Sequence, residues 1–300
     1  MQIYHLHGFY IQGGGICYLN LQGMNKTIYN INDDFEGFQA LISLWDLFRS
    51  SQYSDIEIQL SRFFSANMSA PLGAILDLLG TKNNISLKAD SNIQTILQKN
   101  GFLSYHGYPA VWDNNNTTIQ YMRFKRNENA AFAEYVSNKL LNRPELPDFT
   151  PSAKKKILQV ILEIFVNATY HTKTEYIYTC GQFYPNKQCI DFSIVDTGTG
   201  IRNTVNNRLG AKKQAVEAIE WALIDGNTTK EGVPGGYGLT LLQEFLHYNK
   251  GSLQIISNDG YYCNENKYKK FRVFSTEFPG TVLNLQIKTD DTNLYRLKHE

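Results

Sequence analysis

The sequence predicts an α+β protein in which a smaller unit of alternating strands and helices precedes a larger unit built on antiparallel strands. Three observations support this prediction. Strand and helix patterns alternate through residues 1–125. Two strand patterns, at 175–183 and 188–195, lie either side of a proline-containing turn, and long helical patterns precede and follow them. A stretch with three prolines, residues 142–151, separates the two units.

The first unit combines short strands and helices with short crossovers. Strand patterns cover 55–60 and 85–88, and helical patterns cover 35–48, 70–79 and 91–98. Gly101 provides the left-handed residue that ends the last of these helices. The unit has no phosphate-binding loop of its own, so its apolar residues are best explained as core.

The domain boundaries follow from these patterns. We predict a first domain over residues 1–125 and a connecting helix with a linker over 126–150. A second domain is predicted over 151–290, followed by a C-terminal tail over 291–300.

The second domain opens with an apolar helix that carries a narrow polar line. Residues 154–168 contain no glycine or proline, and Ser152 is the expected N-cap. Gln159, Glu163 and Asn167 are separated by four residues each, so their side chains share one face. Together a carboxylate and a carboxamide suit a hydrated divalent ion. From the helix alone, the solvent-facing edge of an ordinary amphipathic helix is the simpler explanation.

The strand pair after this helix orients a carboxylate. If the turn is centred on Pro185 and Asn186, Ile177 faces Ile194, and alternation places Asp196 on the face of Ile194. Asp196 therefore points toward the layer that covers the sheet. An unpaired buried carboxylate is costly, and a ligand amino group would serve as its partner.

Two glycine-containing segments follow. Gly198 and Gly200 come directly after Asp196 and allow a close approach of backbone to a planar ring, although a tight turn explains them equally well. Glycines at 235, 236 and 238 open a helical pattern, where backbone N–H groups and the helix dipole favour an anion. The Gly-Lys-Ser/Thr ending of a Walker loop is absent.

A glycine-bounded segment, residues 202–231, lies between these glycine groups and is typical of a mobile lid. It contains a helical pattern over 211–224. Lys230 is the best-placed cation for a terminal phosphate, although an ordinary solvated lysine in a loop is at least as good an explanation. Thr228 and Thr229 either bind phosphate or cap the turn.

In order and spacing these segments resemble the ATP-binding domain of the GHKL superfamily, which includes gyrase, the heat-shock chaperone and histidine kinases. The resemblance covers roughly residues 150–290. It implies a two-layer (Bergerat) sandwich of a mixed sheet with helices on one face, and ATP with Mg bound between the layers.

The resemblance also implies roles for individual residues. Asn167 would be the Mg ligand, and Glu163 would polarise water or a substrate hydroxyl. Asp196 would bind the adenine amino group, while Gly198 and Gly200 would line the base and ribose.

The phosphate end of the site is implied in the same way. Gly236, Gly238 and Leu239 would wrap the triphosphate, with Lys230 near the γ-phosphate. Thr281, in the last strand pattern, would support the adenine-binding aspartate through a hydrogen bond or a water.

The first unit resembles the STAS-like domains of anti-anti-sigma regulators. In that family a serine or threonine at a strand-to-helix junction is phosphorylated by a GHKL kinase. Ser65 and Ser69 lie nearest that position, and a helix-capping role is the simpler explanation for both.

Composition excludes several functional classes. Twenty-nine basic and 28 acidic residues give a net charge of +1, so neither nucleic acid nor an anionic membrane is an expected partner. No apolar stretch approaches the roughly 18 residues that span a bilayer, and the N-terminus lacks a secretory signal pattern. We expect a cytoplasmic protein with a protein partner, and homodimer formation is left open.

Two classes of function fit the sequence. The first is an ATP-dependent enzyme, either a slow ATPase or an anti-sigma-type protein serine/threonine kinase. Glu163 favours the enzyme class, because in the family that this segment resembles, histidine kinases usually carry asparagine at the equivalent position. The second is a non-catalytic, nucleotide-gated interaction module in which ATP orders the lid and so changes a partner-binding surface.

Overall fold

A computed structural model describes residues 11–12, 15–16, 23–170, 175–229, 238–265 and 268–298. It shows a mixed α+β protein with one parallel sheet and one larger antiparallel sheet. Two further strands of two residues each, β1 (Ile11–Gln12) and β2 (Gly15–Ile16), pair near the N-terminus. The predicted α+β class is therefore confirmed.

The first unit is a three-stranded parallel sheet whose strands are joined by helices. Parallel neighbours need such crossovers, because the chain must return to the starting edge of the sheet. The strands, in the spatial order β3-β4-β5, are β3 (Gly23–Ile31), β4 (Asp55–Phe64) and β5 (Asn84–Ala89). The helices are α1 (Phe35–Phe48), α2 (Ser69–Gly80) and α3 (Ser91–Lys99). As predicted, Gly101 is left-handed, with φ +81°.

The larger sheet has five strands in the order β6-β7-β8-β10-β9. They are β6 (Thr118–Lys125), β7 (Tyr176–Tyr184), β8 (Cys189–Asp196), β9 (Ser252–Glu265) and β10 (Tyr268–Lys288). Every pairing among them is antiparallel. The predicted mixed sheet is thus wrong for the described strands: β8 and β9 run in the same direction, but β10 is inserted between them.

Five helices accompany this sheet in the described part of the chain. They are α4 (Asn129–Tyr135), α5 (Pro151–Tyr170), α6 (Gly200–Leu209), α7 (Ala215–Ala222) and α8 (Gly238–Asn249). A π-helical turn, Val136–Leu141, continues α4 and completes the predicted connecting helix. Thr150 rather than Ser152 caps α5, because its Oγ1 accepts a hydrogen bond from Ala153 N at 3.2 Å.

The β7–β8 hairpin differs from the predicted register by two residues. Ile177 pairs with Asp196, and Thr179 pairs with Ile194. The turn is longer than expected, because Pro185–Lys187 forms a 3₁₀ turn and Gln188 is left-handed with φ +49°. A shift of two residues preserves the face of every side chain, so the predicted orientation of Asp196 is retained.

Both faces of the five-stranded sheet are covered. Phe192 and Ile194 pack in one core with α5 and α8, whereas Tyr178 and Val195 pack in another core with the helices of the first unit. Helices were predicted on one face of this sheet. In the structure, α1 and α2 also cover the other face.

The strand β6 changes the first predicted boundary. It was placed in the first domain, yet it forms the edge of the second sheet by pairing with β7. The division between the sheets therefore precedes residue 118. The C-terminal segment also packs on the body of the protein: Tyr295 N donates to Asp148 O at 2.8 Å, and the Tyr295 ring contacts Phe245.

Two serines that were considered as phosphoacceptors or caps have neither role in the folded structure. Ser65 and Ser69 are 1% and 0% exposed, so a kinase cannot reach them without local unfolding. Neither makes a side-chain capping bond. Ser69 Oγ instead accepts from Asn100 Nδ2 at 3.0 Å inside the core.

Within the described residues, the helices are all too short or too polar to cross a membrane.

Candidate functional site

A cavity between α5, the end of β8 and α8 brings together most of the predicted site residues. Seven of them line it: Glu163, Asn167, Asp196, Gly200, Gly238, Leu239 and Thr281. Lys230 and Gly236 lie outside the described residues. The cavity holds about 1070 Å³ of empty space, including the part open to solvent.

The helix α5 supplies the polar line at one end of the cavity. Glu163 and Asn167 both line it, one helical turn apart, and both are partly exposed. Gln159, the first member of the line, is exposed and does not line the cavity. Two oxygen-bearing side chains therefore face the cavity from this helix.

The carboxylate of Asp196 is the buried acidic group in the cavity lining. Asp196 is 6% exposed, and its Oδ1 accepts from Gly198 N at 2.7 Å. Burial raises the pKa of Asp196 to about 7, against the lowering effect of backbone hydrogen bonds from Gly198 and Thr281. No basic side chain compensates this carboxylate within its described surroundings.

The glycines after Asp196 have different roles. Gly198 does not line the cavity; its N–H holds the carboxylate. Gly200 does line the cavity, and its φ of +78° favours glycine. A Cβ at position 200 would also lie 2.4 Å from Asn258 Oδ1.

Side chains from β9 fix the start of α6 beside this turn. Ser257 Oγ accepts from Ile201 N at 2.8 Å, and Asn258 Oδ1 accepts from Arg202 N at 3.3 Å. They therefore satisfy two of the N–H groups that the first helical turn leaves without intrahelical partners. Neither residue was predicted, since both lie far away in sequence.

Thr281 lies directly across the strand pair from Asp196. Its support of the aspartate comes from the backbone N–H. The hydroxyl lies 3.0 Å from Ser257 Oγ, which in turn holds α6. The predicted contact between the two residues is present, but it is made by the main chain.

The start of α8 lies against Glu163. Gly238 is buried, and a Cβ at this position would lie 2.7 Å from Glu163 Oε2. The carboxylate thus reaches the first residue of α8, where the helix dipole favours negative charge. This contact joins the predicted acidic residue to the predicted phosphate-binding helix.

One wall of the cavity was predicted only in part, through Thr228 and Thr229. Trp221 and Ala222 from the last turn of α7 line it, followed by Asn227, Thr228 and Thr229. The helical pattern over 211–224 was recognised, but α7 begins at Ala215 after a Gln214 capping box, and α6 was missed. The relevant sequence signal for α6 was Gly210, a left-handed helix stop with φ +62°.

Two side chains that line the cavity, Glu163 and Asn167, could offer oxygens to a hydrated divalent ion. No group of three or more histidine, cysteine, aspartate or glutamate side chains suited to a metal occurs in the described part of the chain. Mg²⁺ in nucleotide sites commonly takes one or two protein oxygens and completes its shell with water and phosphate. Glu163 and Asn167 are the residues that would supply such oxygens.

No protein-family model matches this chain, and no curated protein matches it at a significant level.

Proposed function

We propose that the chain is an ATP- and Mg-binding regulatory protein of the GHKL type, with slow ATP hydrolysis or phosphotransfer to serine or threonine on a protein partner. One observation carries the proposal. Side chains predicted from four separate segments, on α5, β8, α8 and β10, line a single cavity.

The chemistry of the cavity supports a division of roles along its length. Asp196 offers a buried acceptor without a counter-charge, which suits the exocyclic amino group of adenine. Ile194 and Leu283 supply apolar surface beside it for a planar ring. Glu163, Asn167 and the first residues of α8 suit the metal-bound phosphates.

In the proposed reaction, Glu163 accepts a proton from the attacking water or hydroxyl as it adds to the γ-phosphorus, and the bond to the β–γ bridging oxygen breaks. ADP leaves, and the phosphoryl group ends on water or on the acceptor oxygen. The bound Mg would neutralise charge on the phosphates. Asn167 would orient that ion, and Asp196 would hold the base.

Binding is tested by calorimetry with ATP and Mg on the wild-type chain and on Asn167→Ala. We expect the variant to bind at least about tenfold more weakly, because it removes a polar group that faces the metal-bound phosphates. Gln159→Ala is a matched control: it removes a carboxamide from the exposed part of the same helix and should bind as the wild type. Equal ATP affinity of wild type and Asn167→Ala would overturn the site assignment.

Catalysis is tested separately with Glu163→Gln, which keeps the shape of the side chain. Phosphate release or phosphate transfer should fall about 100-fold or more if this carboxylate acts as base. Unchanged turnover with intact ATP binding would remove Glu163 from that role.

A second candidate, a nucleotide-gated interaction module, is favoured by the packing of the first unit. On β8, Ile194 and Asp196 face the cavity, while Ser193 and Val195 face the first unit. Nucleotide binding on one face can therefore affect the docking of α1 and α2 on the other. Partner capture that requires ATP but proceeds without phosphate release would favour this function over catalysis.

A further inference from the structure

The last turn of α7 forms an aromatic wall of the cavity. Trp221 lines the cavity and is partly exposed, whereas Ala218 and Ile219, on the adjacent part of the helix, are fully buried. A partly exposed tryptophan at the edge of an apolar cavity presents a large, rigid surface to whatever enters.

The position of this helix is fixed by its packing on β9. A Cβ at Gly260 would lie 2.9 Å from Ile219 Cδ1 and 3.0 Å from Ala215 Cβ, so α7 approaches the strand as closely as side chains permit. Gln214 and Glu217 form a capping box at its start. Trp221 is thus carried by an anchored element.

The chain after α7 folds back onto the same tryptophan. Asn227 Nδ2 donates to Trp221 O at 2.8 Å, and Ile224 N donates to the same oxygen at 3.3 Å. These bonds bring Asn227, Thr228 and Thr229 to the cavity. The Trp221 carbonyl therefore helps to position the rest of this wall.

The wall continues toward the buried carboxylate. The helix α7 packs on α6, and α6 begins at Gly200, close after Asp196. Ile201 and Val205 of α6 line the cavity between them. A planar ring whose amino group reaches Asp196 would lie along this surface.

We propose that Trp221 is a base-binding residue that stacks on the heterocyclic base of the bound nucleotide. This inference rests on the proposed nucleotide function and assigns to that site a contact with the base rather than with the phosphates.

The test uses the full chain with Trp45 and Trp112 changed to phenylalanine, so that Trp221 is the only tryptophan. Adenosine should change its fluorescence saturably. In calorimetry, Trp221→Ala should weaken adenosine binding between about fivefold and about 150-fold, as expected for the loss of one aromatic stack. Trp221→Phe should restore most of the affinity.

Two further measurements separate stacking from a structural role. Binding of Mg-tripolyphosphate, which has no base, should be the same in Trp221→Ala and in the wild type. Trp112→Ala, at a residue 82% exposed and outside the cavity, should leave adenosine binding unchanged.

A failure of the stacking inference and a failure of the proposed nucleotide function would give different results. If the wild type binds adenosine and Trp221→Ala binds it equally well, stacking is overturned and the proposed function stands. Equal losses for adenosine and tripolyphosphate would also overturn stacking, because the residue would then act through structure alone. If the wild type binds neither ATP nor adenosine, the proposed function fails and the inference fails with it.

Discussion

The two faces of the five-stranded sheet use buried polar residues in opposite ways. Asp191 and Asp196 lie on the same strand, β8, and are 1% and 6% exposed. Burial raises the pKa of both carboxyls. Asp191 accepts from Gln286 Nε2 at 3.1 Å and lies against Asp33 of the first unit. Asp196 is held by backbone groups at the edge of a cavity.

The face toward the first unit carries a polar seam, formed by Asn67, Ser193, Gln254 and Asn284, next to a second cavity that Gln254 and Asn284 also line. Asn284 Oδ1 accepts from Asn67 Nδ2 at 2.9 Å and from Ser193 Oγ at 2.8 Å. Its Nδ2 donates to Gln254 Oε1 at 3.2 Å. Within this seam, most polar atoms find partners inside the protein.

Burial and a raised pKa of a carboxyl group therefore do not by themselves identify a binding site. Asp191 shares both properties with Asp196, but its partners are supplied by the fold. Asp196 differs in that it lines a cavity itself, whereas a second cavity near Asp191 is lined by its neighbours Asp33 and Gln286. Asp196 also has no charged partner in its described surroundings.

The largest expected effect on stability comes from breaking the polar seam. Asn284→Ala would remove one partner each from Asn67, Ser193 and Gln254, so we expect the free energy of unfolding to fall by about 3 kcal/mol. Urea denaturation measures this loss. Asn84→Ala, at an exposed position on β5, is the control and should change stability by less than about 0.5 kcal/mol.

The Asn284→Ala variant also tests whether the two faces of the sheet act independently. If the seam is structural only, ATP affinity should stay within about twofold of wild type in the folded Asn284→Ala protein. A large change in affinity would show that the faces are coupled and would support the nucleotide-gated module.

The next-largest expected effect is a dependence of the free energy of unfolding on pH. The pKa of Asp196 is about 7 in the folded protein, above its ordinary value of 3.8. The free energy of unfolding should therefore fall as pH rises from about 4 to about 7, because the folded state must then bury a charge. Asp196→Asn should remove this part of the pH dependence.

Ligand binding should depend on pH in the opposite direction. Adenosine has no phosphate to titrate, and its amino group donates best to an ionised carboxylate. Because about a tenth of Asp196 is ionised one pH unit below its pKa, affinity should fall about tenfold between pH 8 and pH 6. Calorimetry at the two pH values measures this. A flat profile would separate Asp196 from the bound base.

The smallest expected effect is that of a methyl group at the start of α8. A Cβ in Gly238→Ala would lie 2.7 Å from Glu163 Oε2, and the flexible carboxylate would have to move. We expect ATP affinity to fall about fivefold, equivalent to about 1 kcal/mol, with little change in melting temperature. In Gly80→Ala the new Cβ would lie 3.9 Å from Ile85, an ordinary contact, so affinity should be unchanged. Unaltered affinity in Gly238→Ala would argue against phosphate binding at this helix.

Local patterns were sufficient to predict the main helices and the face of Asp196. The apolar run over 154–168 is helical whatever it packs against, and a two-residue error in the hairpin register leaves side-chain faces unchanged. The error itself arose at Gln188, because a left-handed conformation at such a residue is not apparent from its type.

Features that depend on distant partners could not be predicted. The N–H groups at the start of α6 are satisfied by Ser257 and Asn258, more than fifty residues away, so the helix that begins at Gly200 was not predicted. The strand β6 belongs to the second sheet through its pairing with β7, although it follows the first unit in sequence. Trp221 is one aromatic residue among many until α7 is placed beside the cavity.

The contrast between Asp196 and Asp191 is tested most directly by calorimetry of ATP with Mg on Asp196→Asn and Asp191→Asn. Both variants make the same isosteric change on the same strand. We expect Asp196→Asn to weaken ATP binding about 100-fold or more, since an amide donor would face the amino group of the base. Asp191→Asn should bind within about threefold of wild type. Equal affinities in the two variants, or a loss confined to Asp191→Asn, would contradict the assignment of the cavity as the nucleotide site.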